Sequence, residues 1–360
     1  DTTKRQNLVL SGNLVAEFEI GDVNNTVLYG AEYLDSSSEN DRFTPDSTID
    51  LGIAARNTAG TGFNAGGLVV PFEKFKDAST SDISVYSLYV QDEIELSDNL
   101  TVLLGARYDK YEIDSVNKKP GVTNPNTDHK ESEITPRMGL IYKPQEDVSL
   151  YASYSQTFLP ASGDQFATVG GGADFDPNEY TNLEAGVKLN LAAGFNVTAA
   201  VFQVDADVVE KNSAKDYQRF DNEIEGFELQ IMRKVSDQWT VSAGYTKLDG
   251  DDTNTGKRVA ELPKSTFTIW NNFQLSDKLG LGLGAIYQGE SSPKGGPNYG
   301  IVPSFTRVDA AAYYQLSNNL RLQVNVENLL DTTYYPHAYD DHQFTVGAPL
   351  NATVAIKGTF

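Results

Sequence analysis

Residues 320–327 read LRLQVNVE. Leu320, Leu322, Val324 and Val326 alternate with Arg321, Gln323, Asn325 and Glu327. Successive side chains of an extended strand point to opposite faces, so a period of two gives one apolar face and one that is charged or amide-bearing. A helical period would mix the two sets. The same alternation returns at Leu279, Leu281 and Leu283 against Gly280, Gly282 and Gly284, at Trp239, Val241, Ala243 and Tyr245 against Thr240, Ser242 and Gly244, and at Val148, Leu150, Ala152 and Tyr154. The C-terminal NATVAIKGTF repeats it, with Ala352, Val354, Ile356, Gly358 and Phe360 in one row and Thr353, Lys357 and Thr359 in the other. Only Ala355 breaks that pattern. About fifteen such segments, each about ten or more residues long, start near residues 7, 25, 81, 100, 132, 147, 178, 195, 221, 238, 262, 278, 304, 319 and 346. Helical segments are not apparent.

The connections alternate in length. GDVN, SDN, QED, AAG, SDQ, SDK and SNN are tight turns, built from residues that accept positive φ or hydrogen-bond their own backbone. The others, residues 35–80, 114–131, 159–177, 208–220, 250–260, 291–303 and 334–345, are expected to be long loops rich in Gly, Asn, Asp and Pro. Short turns at one end and long loops at the other are the habit of outer-membrane barrels, with the turns periplasmic and the loops outside the cell. A soluble sandwich also alternates, because it buries its apolar face against a second sheet. Strand length and the Tyr and Trp residues at the ends of the apolar rows, such as Trp239, Tyr245, Tyr287 and Tyr154, point to a bilayer with aromatic girdles.

Composition narrows the function classes. The formal charge is −22 and no basic block occurs, which argues against nucleic acid, whose phosphates draw on clustered Lys and Arg. Cysteine is absent, so neither disulfides nor thiolate metal sites are available. Three histidines, His129, His337 and His342, are too scattered for a histidine-built metal centre, and no apolar run is long enough for a transmembrane helix. No nucleophile motif accompanies His342, Asp340 and Asp341, so no enzyme is expected. The run LDGDDTNTG, 248–256, offers Asp249, Asp251 and Asp252 as candidate calcium ligands, or as carboxylates bridged by divalent ions to lipopolysaccharide, but lacks a full calcium-loop pattern. The glycine run 168–172 does not match a phosphate cradle and reads as a loop.

Beyond these patterns, particular stretches carry a resemblance. LQVNVENLLDTTYY (322–335) resembles the penultimate-strand signature of TonB-dependent outer-membrane receptors, and ATVAIKGTF (352–360) resembles their last strand with its closing Phe. FDPNEYTNLEAGVKLN (175–190), EGFELQIMRKVSDQWTVSAGYT (225–246), LPKSTFTIWNNFQLSDKLGLGLGAIYQG (262–289) and VPSFTRVDAAAYYQL (302–316) are similar, in order, to the siderophore-receptor branch. SLYASYSQTFLPASGDQF (149–166) looks most like receptors for ferric hydroxamate or catecholate siderophores. The resemblance implies an all-β transmembrane antiparallel up-and-down barrel of 22 strands around a plug domain, gripped by the TonB energy transducer. Residues 1–360 are expected to form one barrel domain holding the C-terminal part of such a barrel, about fifteen strands, without a plug or a TonB box. An odd strand count ending in the periplasm would start the chain outside the cell, as expected of a fragment, and its open edges would make it unstable alone in a bilayer.

The implied function is ferric siderophore uptake at the outer membrane of a Gram-negative bacterium, with iron as cargo and no cofactor. Expected partners are the siderophore, TonB acting through the plug, membrane lipid and lipopolysaccharide, and the barrel assembly machinery, for which Phe360 would be the signal. A bulky, anionic, partly aromatic ligand calls for aromatic walls and a few cationic or amide groups at the mouth. The candidates are Phe158, Gln165, Phe166, Arg219, Arg258, Tyr299, Tyr335, His337 and Tyr339. At physiological salt the screening length is about 8 Å, so local cations count for more than the total charge. A passive porin or structural barrel, a soluble β scaffold, and a receptor for haem, cobalamin or a saccharide stay open as alternatives. Haem is disfavoured by the absence of that branch's FRAP and NPNL boxes, while His337 keeps it in play.

Overall fold

A computed structural model describes residues 2–44, 62–65, 68–71, 74–118, 121, 126–159, 176–211, 217–293, 300–340 and 343–358. Fifteen long strands run antiparallel in chain order. They are β1 (Thr2–Ile20), β2 (Val23–Thr44), β3 (Lys74–Ser97), β4 (Leu100–Asn117), β5 (Asn126–Gln145), β6 (Val148–Leu159), β7 (Asn178–Leu191) and β8 (Phe195–Lys211). There follow β9 (Tyr217–Ser236), β10 (Trp239–Asp252), β11 (Ser265–Gln274), β12 (Leu279–Gln288), β13 (Phe305–Ser317), β14 (Leu320–Glu327) and β15 (Asn351–Gly358). A two-residue strand, Lys257–Arg258, joins β10 and brings the sheet to 16 strands. Two separate hairpins, Gly62–Ala65 with Leu68–Pro71 and His337–Asp340 with Gln343–Thr345, lie in the long connections. A 3-10 turn at Ala192–Gly194 is the one helical element among the described residues. No helix is long and apolar enough to cross a membrane, which says nothing about strands.

The register fixes which residues share a face. Leu88, Tyr108 and Ile134 are paired in line across β3, β4 and β5, as are Val90, Ala106 and Pro136. Farther along, Leu281 pairs with Ala312, and Val324 pairs with both Ala312 and Val354. The apolar rows expected from alternation therefore merge into one apolar face. They are not buried by a second layer: Ile134 is 65% exposed and Leu183 57%, although both belong to interior strands. A soluble sandwich would cover such residues; an apolar band of this kind faces hydrocarbon. Trp239 stacks on Phe273 at 5.7 Å near the short turns, and Tyr33 meets Tyr86 at 5.0 Å near the long connections, which gives the two aromatic belts.

The short turns fall where the sequence places them. Gly21 starts the two-residue link between Ile20 and Val23 at φ +66°, a value that costs glycine nothing and other residues much. The long connections differ from expectation. Residues 35–44, 74–80, 114–117 and 126–131 are strand, since β2 pairs with β3 out to Thr44 and β4 with β5 out to Asn126. Most of their residues are polar, chiefly Ser, Asn, Asp, Glu, Lys and Thr, so the hydrophobic period ends at the membrane boundary. The backbone ladder needs no hydrophobic period and continues into water.

On the other, polar face, flat rings lie over glycines. The Trp270 ring covers Gly282 and Gly284 on β12, Tyr89 covers Gly30, and Tyr151 covers Gly186. A Cβ at Gly284 would overlap the Trp270 ring and come within 2.7 Å of the Ile269 carbonyl oxygen. The Leu–Gly alternation of β12 thus has a packing cause. Among the described residues, the outer edges of β1 and β15 have no strand partner. We expect Gly284→Val to destabilise the sheet by about 1–3 kcal/mol through overpacking, read as a lower temperature of heat-induced mobility change on electrophoresis, with Leu283→Ile on the opposite face nearly neutral.

Candidate ligand-binding rim

The apolar face marks where the membrane ends. In β4 the row reads Val102, Leu104, Ala106 and Tyr108, then Lys110, Glu112 and Asp114. Residues beyond Tyr108 on β4, and level with it on neighbouring strands, form a rim at the long-connection end. There Glu112 accepts hydrogen bonds from both Lys110 and Lys130, which hold its carboxyl below the usual range.

One cluster on this rim surrounds Tyr111, which is fully buried together with Ile113, against Ile83, Val85 and Phe158. The Tyr111 ring stacks on Phe158 at 5.8 Å, and its hydroxyl donates to Glu131 Oε2 at 2.6 Å. His129 Nε2 lies 2.9 Å from the same carboxylate oxygen. Burial, together with the hydrogen bond to Glu131, pushes the phenol far above its ordinary value. The contact crosses faces: counted by twos from Leu150, Phe158 belongs with the apolar row, whereas Tyr111 belongs with Asp109 and Ser87 on the polar one. It is possible because the β5–β6 ladder stops at Arg137↔Ser155. The next residue is Pro136, which brings no N–H to a ladder. Above it β6 no longer pairs with β5, and its Phe158 ring reaches Tyr111 on the polar face of β4.

Arg219 sits beside this cluster. Its Nη1 donates to Asp207 at 2.6 Å and its Nη2 to the Asp176 carbonyl at 3.0 Å. Arg258 lies elsewhere. It pairs with Asp251 across the short strand, donates from Nη1 to Asp249 at 2.7 Å, and so stands on the apolar-row face above the membrane. Both guanidinium groups, read from sequence as cations for a ligand, are already matched by carboxylates.

The calcium reading is likewise corrected. Asp249 and Asp251 face one way and Asp252 the other, as alternation on one strand requires. Asp249 is held by Arg258, and Asp252 accepts from the Asn254 and Thr255 backbone N–H groups as a turn cap. No group of three acidic or histidine side chains among the described residues could hold a metal ion.

A second cluster gathers Tyr335 and His337. Tyr335 meets Phe344 edge-on at 5.9 Å, while His337 Nε2 lies 3.0 Å from Thr345 Oγ1 and its Nδ1 3.9 Å from Glu261. Gln288 Nε2 donates to the Pro336 carbonyl at 2.9 Å. The nine sequence candidates therefore divide: Phe158 and Arg219 belong to one neighbourhood, Tyr335 and His337 to another, and Arg258 to the outer wall. Gln165, Phe166 and Tyr299, the glycine run, His342 and Phe360 lie outside the described residues, as does the side chain of Tyr339. Sequence reading missed Tyr111, His129 and Glu131. Residues 126–131 read as a loop for want of apolar periodicity, and nothing local signals that a ring from β6 arrives there.

The family model "TonB dependent receptor-like, beta-barrel" matches residues 2–329. The chain belongs to the TonB-dependent receptor family. PiuA of Acinetobacter baumannii, described as a probable TonB-dependent siderophore receptor, is 30% identical over 307 residues, 78% of this chain and 41% of that protein. The metal-pseudopaline receptor CntO of Pseudomonas aeruginosa is 28% identical over 364 residues, 96% of this chain and 50% of that protein. The closed form of Fiu, the ferric-catecholate import receptor of Escherichia coli K12, superimposes with a TM-score of 0.81 at 22% identity, over 99% of this chain and 55% of that one. At that identity the likeness is one of fold. This TonB-dependent receptor chain spans about half the length of the curated relatives it matches. The apolar face is thus the lipid face of a Gram-negative outer-membrane barrel, and the polar face lines its lumen.

Replacing Phe158 with Ala should unlatch β6 from β4. We expect amide exchange at residues 111–115 to quicken roughly tenfold, the equivalent of about 1.4 kcal/mol, while exchange within the apolar band stays unchanged.

Proposed function

We propose that the protein takes up ferric siderophores across the outer membrane by TonB-dependent active transport. Kinship carries this reading: PiuA, a named siderophore receptor, matches 78% of the chain at 30% identity, and the catecholate siderophore receptor Fiu matches 89% at 28%. Of the two siderophore types, catecholate is favoured by Fiu's name. Iron is the cargo within the chelate, so no resident cofactor is proposed. The transducer would act through a plug domain, lipid and lipopolysaccharide would surround the apolar face, and the assembly machinery would read Phe360. Membership in a receptor family favours this over a passive porin and over catalysis, and the half-exposed apolar rows oppose a soluble scaffold.

A second cargo has its own support. CntO, named for a metal chelated by pseudopaline, matches 96% of the chain. A metal–pseudopaline complex would use the same mouth. Deleting the locus and testing growth on ferric tris-catecholate, ferric trihydroxamate and a metal–pseudopaline complex as sole metal sources separates these readings. Loss of growth on the catecholate is the expected result; undiminished growth on every ferric complex sinks siderophore uptake.

The rim geometry ranks the contacts. Because Asp207 and Asp249 already neutralise Arg219 and Arg258, Arg219→Ala and Arg258→Ala should change the affinity for a ferric tris-catecholate by less than about twofold. Tyr335→Ala, removing an aromatic wall, should weaken it by about five- to tenfold. Equilibrium binding to outer-membrane preparations reads both.

A further inference from the structure

The loop joining β14 to β15 carries Tyr335 and His337, and it is tied to the barrel wall by a connected polar network. Arg307 on β13 grips Asp309 Oδ2 through Nε at 3.1 Å and Nη2 at 2.8 Å, and its Nη1 reaches the Tyr334 hydroxyl at 3.3 Å. The other Asp309 oxygen accepts the Asn328 backbone N–H at 2.9 Å. Asn328 has no exposed surface. Its side-chain amide donates to the carbonyls of Thr332 and Ala348, at 2.9 and 3.0 Å, while its Oδ1 accepts the Thr332 N–H. Asn328 and Asp331 both have left-handed backbones, at φ +53° and +49°, and Asp331 Oδ1 accepts the Leu350 N–H at 2.9 Å. Both ends of the loop are closed by these bonds.

Packing completes the tie. Tyr334, 6% exposed, lies against Phe305 at a centroid distance of 4.6 Å, and its carbonyl accepts the Gly347 N–H at 2.8 Å. The Tyr334 ring occupies the space that a Cβ at Gly347 would need. Such a buried network is costly when half-satisfied, and here each member named has a partner. Left-handed φ at two non-glycine residues persists only where surrounding contacts hold it.

We propose that Arg307, Asp309, Asn328 and Tyr334 are positioning residues that hold residues 332–340 and 343–347 of the β14–β15 connection in one conformation before any ligand arrives, making it a fixed wall of the mouth. This rests on the uptake reading only for the identity of the ligand. None of the four needs to touch cargo. Their effect passes through Tyr335 and His337, one and three residues after Tyr334 in the chain. A preformed wall avoids ordering a loop on binding, so its loss should appear in affinity more than in transport capacity.

The test uses the complete protein encoded at the locus, in outer-membrane preparations, as wild type and with Tyr334→Phe, Asp309→Asn and Asp309→Ala. Amide exchange of residues 332–347 is measured without ligand, and the Kd and maximal uptake rate are measured with a ferric tris-catecholate. Tyr334→Phe should raise Kd about fivefold, and Asp309→Ala more than tenfold with faster exchange in the loop. Asp309→Asn, which keeps an acceptor for the Asn328 N–H, should rescue most of the loss. Heat resistance of the barrel and maximal uptake should stay at wild-type values. Unchanged exchange in Asp309→Ala overturns the proposal, as does faster exchange with an unchanged Kd. If wild type binds no ferric complex, the uptake reading falls, and the exchange measurement alone decides whether the network fixes the loop.

Discussion

In hydrocarbon a peptide N–H or C=O has no partner except another peptide group. Each one left unmade costs several kcal/mol, so a spanning sheet pairs every strand with its neighbours. The uninterrupted path from β1 to β15 is the form this constraint takes here. It also explains why the strands pair in chain order, since tight turns such as Gly21–Asp22 leave the next strand nowhere to go but alongside the last. Among the described residues, β1 and β15 are the end strands of that path.

Once pairing is fixed, alternation divides the chemistry between two solvents. The lipid side takes the apolar rows. On the lumen side, charges are matched locally: Arg107 forks onto Asp109 at 2.9 Å and Ser87 at 2.7 Å while lying over the Tyr89 ring, and Tyr151 donates to Glu184 at 2.6 Å. Trp270, Tyr89 and Tyr151 on that side lie over glycines of adjacent strands, which keeps the wall thin there. The formal charge of −22 is therefore a poor guide to the field at any one point.

Beyond the aromatic belt water returns and the constraint relaxes. Pairing can end there without penalty, and it ends between β5 and β6 at Pro136. The consequence is the Phe158–Tyr111 contact, which joins residues from opposite faces. At the other side of the mouth the Asn328 network does the reverse and welds a loop to the wall. Sequence reading put Phe158 among candidate ligand contacts because it lies in the stretch 149–166 that resembles siderophore receptors; the structure spends that ring on packing against Tyr111. It counted Arg219 and Arg258 as cations for an anionic ligand, yet Asp207 and Asp249 reach them across a hairpin.

The strand count, the order of turns and loops, the lipid row through Leu322, Val324, Val354 and Ile356, and the family likeness of NLLD and its neighbours were all determined by the sequence itself. Each depends on spacing along a single strand or on a local turn, and these have a fixed period. The length of the hairpins beyond the membrane, the seam at Pro136, the reach of Phe158 to Tyr111 and the matching of each rim arginine were decided by tertiary structure alone. Polar residues carry no hydrophobic period to announce a strand in water, and a contact between strands depends on register and bend, which no single segment encodes.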